Sequence, residues 1–338
     1  MSDIFSTLPS TPPDSWQRFG HINWKPSDIS PSLYQAQIAV SDEISLCVEA
    51  GGDPNNPPLI FVAGFGSQMM FWPEGLLKQL MDAGFFVVRF DNRDTGLSTK
   101  IHSEKMLSRS KIFSMIAKNQ VGIGNKKTEV PYTLHDMAND VLGLIDALGF
   151  DKVNLIGASM GGMISQIICA THPDKVDKLI LIFSSSNRAF LRLPKPKQFS
   201  TFFRRPPSYS ERDMVRHAVW FMTAVGSPGH LDIKGTRAVA HKRYQRDFHP
   251  QGMAQQMNAI LATGSLLDYT KQISTPTLII HGDKDGLIHK SHGKQLANSI
   301  KNSRFVAVEG MGHDLPVYYY PYLVGLISEH CLGNGQNK

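Results

Sequence analysis

Cysteine is scarce. The 338 residues hold three, Cys47, Cys169 and Cys331, far apart and without C-x-x-C spacing. That excludes a disulfide framework and a cysteine zinc site, and it fits the buried or incidental thiols of a reducing compartment. Long apolar runs are missing too: no segment reaches the 18 or so unbroken apolar residues of a membrane span. The first residues, MSDIFSTLPSTPPDSW, lack the basic start and apolar core of a secretory leader. A cytoplasmic location is therefore expected. No internal repeat, collagen-like period or heptad pattern is visible. What remains, 41% hydrophobic, 9% aromatic and 19% charged, is the composition of an ordinary globular protein. A chain this long buries roughly three quarters of its unfolded surface, so it needs neither a staple nor a structural metal.

Acidic residues are short in one place. Between Asn187 and Pro250 there are 13 Lys/Arg against 4 Asp/Glu, whereas the remainder holds 22 against 25. The net charge of +6 thus comes from one central segment. A solubilising surface, steering of anionic substrates and loose association with anionic lipid all fit. No nucleic-acid motif accompanies the charge, so a nucleic-acid partner is not expected.

Residues 1–33, rich in Ser, Pro and Asp, read as an extended lead-in. Two short strand-like runs follow, Tyr34 to Val40 and Ile44 to Ala50, then a Gly/Pro/Asn turn. Leu59 to Ala63 is a continuous apolar run of the buried-strand type, ending in the loop Gly64-Phe65-Gly66-Ser67-Gln68. Thr133 and Asp136 have capping-box spacing ahead of a helical stripe that Gly149 ends. Strand and helix then alternate through Val153–Ile156, Met160–His172 and Leu179–Phe183, and again from Thr277 to the C-terminal helix. This pattern predicts a mostly parallel sheet with helices on both faces. Residues 187–267 break the rhythm, being helical in propensity, basic and Pro-punctuated, and read as a helical lid over the C-terminal edge of the sheet. The core is then 34–186 and 268–338. Lys100 to Val130 is a second interruption, read as a surface excursion, with a flank of the same crevice as the alternative.

Gly157-Ala158-Ser159-Met160-Gly161-Gly162 matches G-x-S-x-G at a strand-to-helix junction. A nucleophile elbow needs its serine on such a tight turn with small neighbours; a serine that only caps the helix is the alternative. Serine needs a base, and the base a carboxylate to orient it. Downstream strands run into His281-Gly282-Asp283-Lys284-Asp285 and Gly310-Met311-Gly312-His313-Asp314, on the same sheet edge as the elbow. His313 is the expected base. Asp285, deeper in its loop, is preferred over Asp283 as its partner, and Asp314 is expected to point outward. Two N–H donors must face the developing oxyanion: Met160 is one, and Phe65 the other, with Gly66 as the alternative. Met69, Phe71, Trp72 and Trp220 could line an apolar substrate pocket, although core packing explains them as well. No cofactor is implied. His289 and His292, at i and i+3, read as a solvated helix start, not as a metal pair.

These strings carry a resemblance. VAGFGSQ, RFDNRDTGLST (Arg89 to Thr99), LIGASMGGMISQ (Leu155 to Gln166), PTLIIHGDKDGLI and EGMGHDLP (Glu309 to Pro316) resemble the α/β hydrolases. Among them the chain is similar to the aclacinomycin methylesterase group of bacterial serine esterases. The resemblance implies the α/β-hydrolase fold and a Ser159, Asp285, His313 triad, and gives the turn Asp91 to Gly96 a structural role beneath the site. Relatives often open the oxyanion loop with His-Gly, where this chain has Ala63-Gly64. Dehalogenases and epoxide hydrolases of the fold carry Asp at the elbow, so Ser159 argues against both. The expected activity is hydrolysis of a small carboxylic ester, short to medium acyl or methyl, through an acyl-enzyme. A C–C bond hydrolase or lactonase, and a non-catalytic ligand-binding protein on the same scaffold, are the alternatives.

Overall fold

The computed structural model describes residues 8–103, 107–125 and 127–333. Its strands are β1 (Lys25–Pro26), β2 (Tyr34–Ala39), β3 (Ser45–Gly51), β4 (Pro58–Val62), β5 (Phe86–Phe90), β6 (Val153–Ala158), β7 (Val176–Ile182), β8 (Thr277–Gly282) and β9 (Ser303–Val308). The helices are α1 (Glu74–Asp82), α2 (Arg109–Gln120), α3 (Leu134–Ala147), α4 (Met160–Thr171), α5 (Pro196–Phe199), α6 (Glu211–Val225), α7 (Ile233–Arg246), α8 (Pro250–Thr263), α9 (Leu267–Gln272), α10 (Ser291–Ser299) and α11 (Tyr320–Leu332).

The strands form one sheet in the order β1-β2-β3-β5-β4-β6-β7-β8-β9. It is antiparallel from β1 to the β3/β5 pair and parallel from there to β9. The parallel centre follows from composition. The apolar runs of β4, β6 and β8 are buried on both faces, which requires helices above and below. α3, α4 and α10 pack on one face with Leu144, Ile164 and Leu296; α1 and α11 pack on the other with Leu77 and Leu323. Edge strand β9 is only half-buried, and its Arg304 reaches out to Glu329 at 2.8 Å. α3 starts with the capping box its sequence predicts: Thr133 N donates to Asp136 Oδ2 (2.7 Å) and His135 N to Thr133 Oγ1 (3.2 Å).

Within the segment read as a lead-in, residues Asp14–Phe19 form a 3-10 turn that buries Trp16 and Phe19. Both rings contact Trp24 edge-on (5.3 and 6.4 Å), and they make edge-on or stacked contacts to Tyr34, Phe86 and Phe150 with ring centroids 5.2–5.8 Å apart. Each such pair adds about 0.5–1.5 kcal/mol beyond the area it buries. Trp16 Nε1 also donates to Gly52 O (3.1 Å), so this part of the chain is docked on the core.

The central segment folds into α5 to α8 over the C-terminal strand ends. Within Lys100 to Val130, read as a surface excursion, α2 keeps one side exposed and packs the other on the central segment. Met115 on α2 packs on Leu261 and Ala262 of α8, and Asn119 Nδ2 donates to Leu261 O (2.9 Å), so α2 buttresses α8. Among the described residues no helix is long and apolar enough to cross a membrane.

Candidate active site

Ser159 stands between β6 and α4 with φ +53° and ψ −119°. For a side chain bearing a Cβ, such a conformation costs on the order of 1–3 kcal/mol and persists only where its surroundings enforce it. Here they do. Ser159 N donates to Ile182 O (3.0 Å), and its carbonyl accepts from Gly162 N (3.0 Å), Met163 N (3.2 Å) and Ser184 Oγ (2.8 Å). Close approach of β4 fixes the neighbours: a Cβ on Gly161 would lie 2.0 Å from Val62 O. A Cβ on Gly64 would lie 3.3 Å from Ser159 Cβ, so the loop after β4 lies directly against the elbow.

Asp285 and His313 leave the ends of β8 and β9 and meet at the same edge. His313 Nδ1 lies 2.7 Å from Asp285 Oδ2, and Asp285 Oδ1 accepts from Leu287 N and Ile288 N, both at 2.8 Å. Asp283 accepts instead from Gly310 N (2.8 Å), bracing one loop against the next. Burial alone would raise the Asp285 pKa. The positive charge available at His313, the His313 hydrogen bond and the nearby His281 ring outweigh it and hold the carboxyl well below its ordinary range. His281 received no role from the sequence. It is fully buried, donates Nε2–H to Ile288 O (2.7 Å) and stands 3.5 Å from Asp285 Oδ2, backing the carboxylate from behind. The Phe183 ring lies 4.4 Å from the His313 ring, one residue beyond the Ile182 carbonyl that holds Ser159 N. Ser159 Oγ itself has no hydrogen-bond partner among the described residues.

In the loop after β4 the two candidate amides, Phe65 and Gly66, differ in their partners. Gly66 N donates to Gln256 Oε1 (2.8 Å) and Gly66 O accepts from Arg243 Nη2 (2.8 Å), so both its polar groups are engaged. Phe65 N meets no acceptor among the described residues, and Met160 N opens α4, where helical amides lack an internal partner.

Asp314 does not point outward. It is buried and accepts from Ser227 N (2.9 Å) and Ser227 Oγ (2.5 Å), while Ser227 Oγ accepts from Gly312 N (2.8 Å) and His313 N donates to Val225 O (2.8 Å). The end of α6 therefore grips the histidine loop on both sides. The turn after β5 ties the remaining parts together. Buried Asp91 accepts from Met69 N (2.7 Å), Leu97 N (3.0 Å) and Arg246 Nη1 (2.6 Å), and Asn92 Nδ2 donates to Ala63 O (3.1 Å). Arg243, Arg246 and Gln256, on α7 and α8, thus clamp the loop after β4 and the turn after β5. None was legible as a functional residue.

Met69 and Trp72 have no exposed surface. Trp72 packs edge-on against Phe61 (5.0 Å) and Phe71 (5.1 Å), so both belong to the core and not to an open pocket wall. Phe71 is partly exposed and lies 6.3 Å from Phe183, extending the apolar surface beside His313. Trp220 lies under the Arg204 guanidinium at 4.2 Å and beside His217. His289 and His292 are engaged locally: Ser185 Oγ and Arg192 O hold His292 (both 2.8 Å), and Ser291 Oγ meets His289 Nδ1 (3.0 Å). Among the described residues no group of three or more His, Cys, Asp or Glu is arranged to hold a metal ion.

Residues 57–317 match the family described as the alpha/beta hydrolase fold. The chain belongs to that family. Among alpha/beta hydrolases and other curated proteins, it is similar to rhodomycin D methylesterase DnrP of Streptomyces peucetius, 25% identical over 317 residues that cover 87% of this chain and 97% of that one. Rhodomycin D methylesterase DauP of Streptomyces sp. (strain C5) is likewise 25% identical, covering 87% and 97%. Of solved structures, an enol-lactonase from Burkholderia xenovorans LB400 superposes with a TM-score of 0.65 at 18% identity, covering 87% of this chain and 99% of that one. The 2-hydroxy-6-oxo-6-phenylhexa-2,4-dienoate hydrolase of Rhodococcus sp. strain RHA1 does so at 0.66 and 17%, covering 88% and 98%. These two share the fold.

Proposed function

We propose that the protein is a serine hydrolase that cleaves a small carboxylic ester, of short to medium acyl chain or a methyl ester, through an acyl-enzyme. The observation that carries the reading is the 2.7 Å contact between His313 Nδ1 and Asp285 Oδ2 at the sheet edge that also bears the strained Ser159 elbow. With Nδ1 held by the carboxylate, the imidazole has Nε2 available to take the Ser159 proton as Oγ attacks the ester carbonyl. The amides of Phe65 and Met160 then hold the oxyanion. The imidazolium passes its proton to the leaving alcohol, and water repeats the sequence on the acyl-enzyme. A serine hydroxyl turns about a single bond, and contacts of this kind commonly tighten only when substrate arrives. Phe71 and Phe183 favour an apolar acyl or alcohol group beside the histidine.

The methylesterase relatives support an ester over the lactone and C–C bond chemistries found on the same fold. The separating experiment is a panel of p-nitrophenyl esters of increasing acyl length, aromatic methyl esters, an enol-lactone and a vinylogous 1,5-diketone acid. Turnover of esters that disappears in Ser159→Ala is the expected result. Turnover confined to the lactone or the diketone would replace this reading with one of its alternatives, and tight binding without turnover would make the protein a receptor.

A further inference from the structure

We propose that the outer face formed by α2 and the first turn of the lid is a docking surface for an anionic phospholipid bilayer. Six large apolar side chains, Phe113, Val121, Ile123, Phe190, Leu193 and Phe203, stand exposed there, led by Phe190 at 78% and Ile123 at 71%. They form one surface. The Phe113 and Phe203 rings stack with centroids 5.0 Å apart at 8°. Two helical turns further along α2, about 10 Å away, Gln120 receives Phe190 N on its carbonyl (3.0 Å) and donates Nε2 to Leu191 O (2.9 Å). Val121 and Ile123 follow Gln120 directly. Phe190 has φ +59°, a conformation that bulky residues avoid, and here it leaves the ring in solvent.

The charge on this face decides the occupant. Residues 107–125 and 187–205 contain nine Lys/Arg and no Asp or Glu. Lys118, Arg188 and Lys197, among others, are exposed beside the apolar groups. Aromatic and aliphatic side chains on two segments that carry cations and no carboxylate match the layered chemistry of an acidic bilayer surface: acyl boundary below, phosphate above. A second copy of the chain fits poorly, because a two-fold dimer would press two cationic faces together. The face also adjoins the candidate active site. Lys195 N donates to Gly286 O (2.9 Å), next to Asp285, so a docked protein would have its site rim near the membrane. Delivery of a lipid-dissolved ester would rest on the hydrolase reading; the docking itself does not.

The test is co-sedimentation of the full chain with phosphatidylglycerol/phosphatidylcholine vesicles and with phosphatidylcholine vesicles alone, at low and high salt. The parent and Ser159→Ala proteins should both bind the anionic vesicles, bind the zwitterionic ones weakly and release as salt rises. The Phe190→Ser/Ile123→Ser variant should lose about tenfold in binding while keeping its melting temperature and its turnover of a water-soluble ester. No binding, binding indifferent to lipid charge, or full binding by the variant would overturn the proposal. So would light scattering that shows a parent dimer and a variant monomer, which would make the face a self-association surface.

Discussion

Gln256 offers a sharp test of how the lid serves the site. It is fully buried; its Oε1 accepts from Gly66 N (2.8 Å) and its Nε2 donates to Arg93 O (3.0 Å). Gln256→Ala removes both bonds and leaves a buried N–H and a buried C=O without partners. Each such deletion costs about 1–3 kcal/mol, so a stability loss of about 2–6 kcal/mol is expected in urea titrations. Gly66 follows the proposed oxyanion donor Phe65, and a lost donor costs about 2.7–4 kcal/mol of barrier. A donor that is loosened and not removed should lower kcat about ten- to a hundredfold, with KM nearly unchanged because the effect falls on the transition state. Gln256→Glu separates the two effects. Its carboxylate still accepts from Gly66 N but faces Arg93 O without a proton to donate, so it should lose stability and keep most of kcat. If Gln256→Ala loses stability while retaining full kcat, or if both variants lose kcat equally, the clamp does not position the oxyanion loop.

Other perturbations test separate parts of the structure. Ser159→Gly should abolish turnover yet stabilise the fold by about 1 kcal/mol in the same titrations, because glycine adopts φ +53° without strain; a destabilised variant would mean the elbow is not strained. Arg246→Ala leaves Asp91 buried without its charge partner at 2.6 Å and should cost about 3–5 kcal/mol; a loss below about 1 kcal/mol would show that the two backbone amides on Asp91 suffice. Because the Asp285 carboxyl is held below its ordinary range, the native state binds this proton more weakly than the unfolded chain does. Its contribution is therefore fully present above the ordinary value of about 3.9 and lost as pH falls through the native value. The stability difference between the parent and Asp285→Asn should shrink below about pH 4, and a difference constant with pH would contradict the assigned environment.

Local signals carried the sheet and the site's framework. The apolar runs of β4 and β6, the capping box at Thr133 and the glycines around Ser159 each state their structure over a few neighbouring residues. The preference for Asp285 over Asp283 rested on its place two residues deeper in the loop; in the folded chain Asp283 accepts from Gly310 N and Asp285 meets His313. What the sequence left unread depends on distant partners. Arg246 meets Asp91 across 155 positions, Gln256 meets Gly66 across 190 and Ser227 meets Asp314 across 87. Arg243 and Arg246 look like surface cations of a basic helix until the turn after β5 is folded beneath them. Trp72 and Met69 were ambiguous for a related reason: an apolar residue beside a site loop reads alike whether it faces a ligand or the core. Only the packing of Phe61 and the backbone contact to Asp91 separate the two.

The central claim is that Ser159 is a nucleophile activated at this sheet edge. Labelling with a fluorophosphonate, followed by peptide mass spectrometry, tests it most directly. One phosphonyl adduct on the peptide that contains Ser159 is expected, absent from Ser159→Ala and strongly slowed in His313→Ala. An unmodified Ser159, or an adduct of equal yield on another residue in the Ser159→Ala protein, would contradict it.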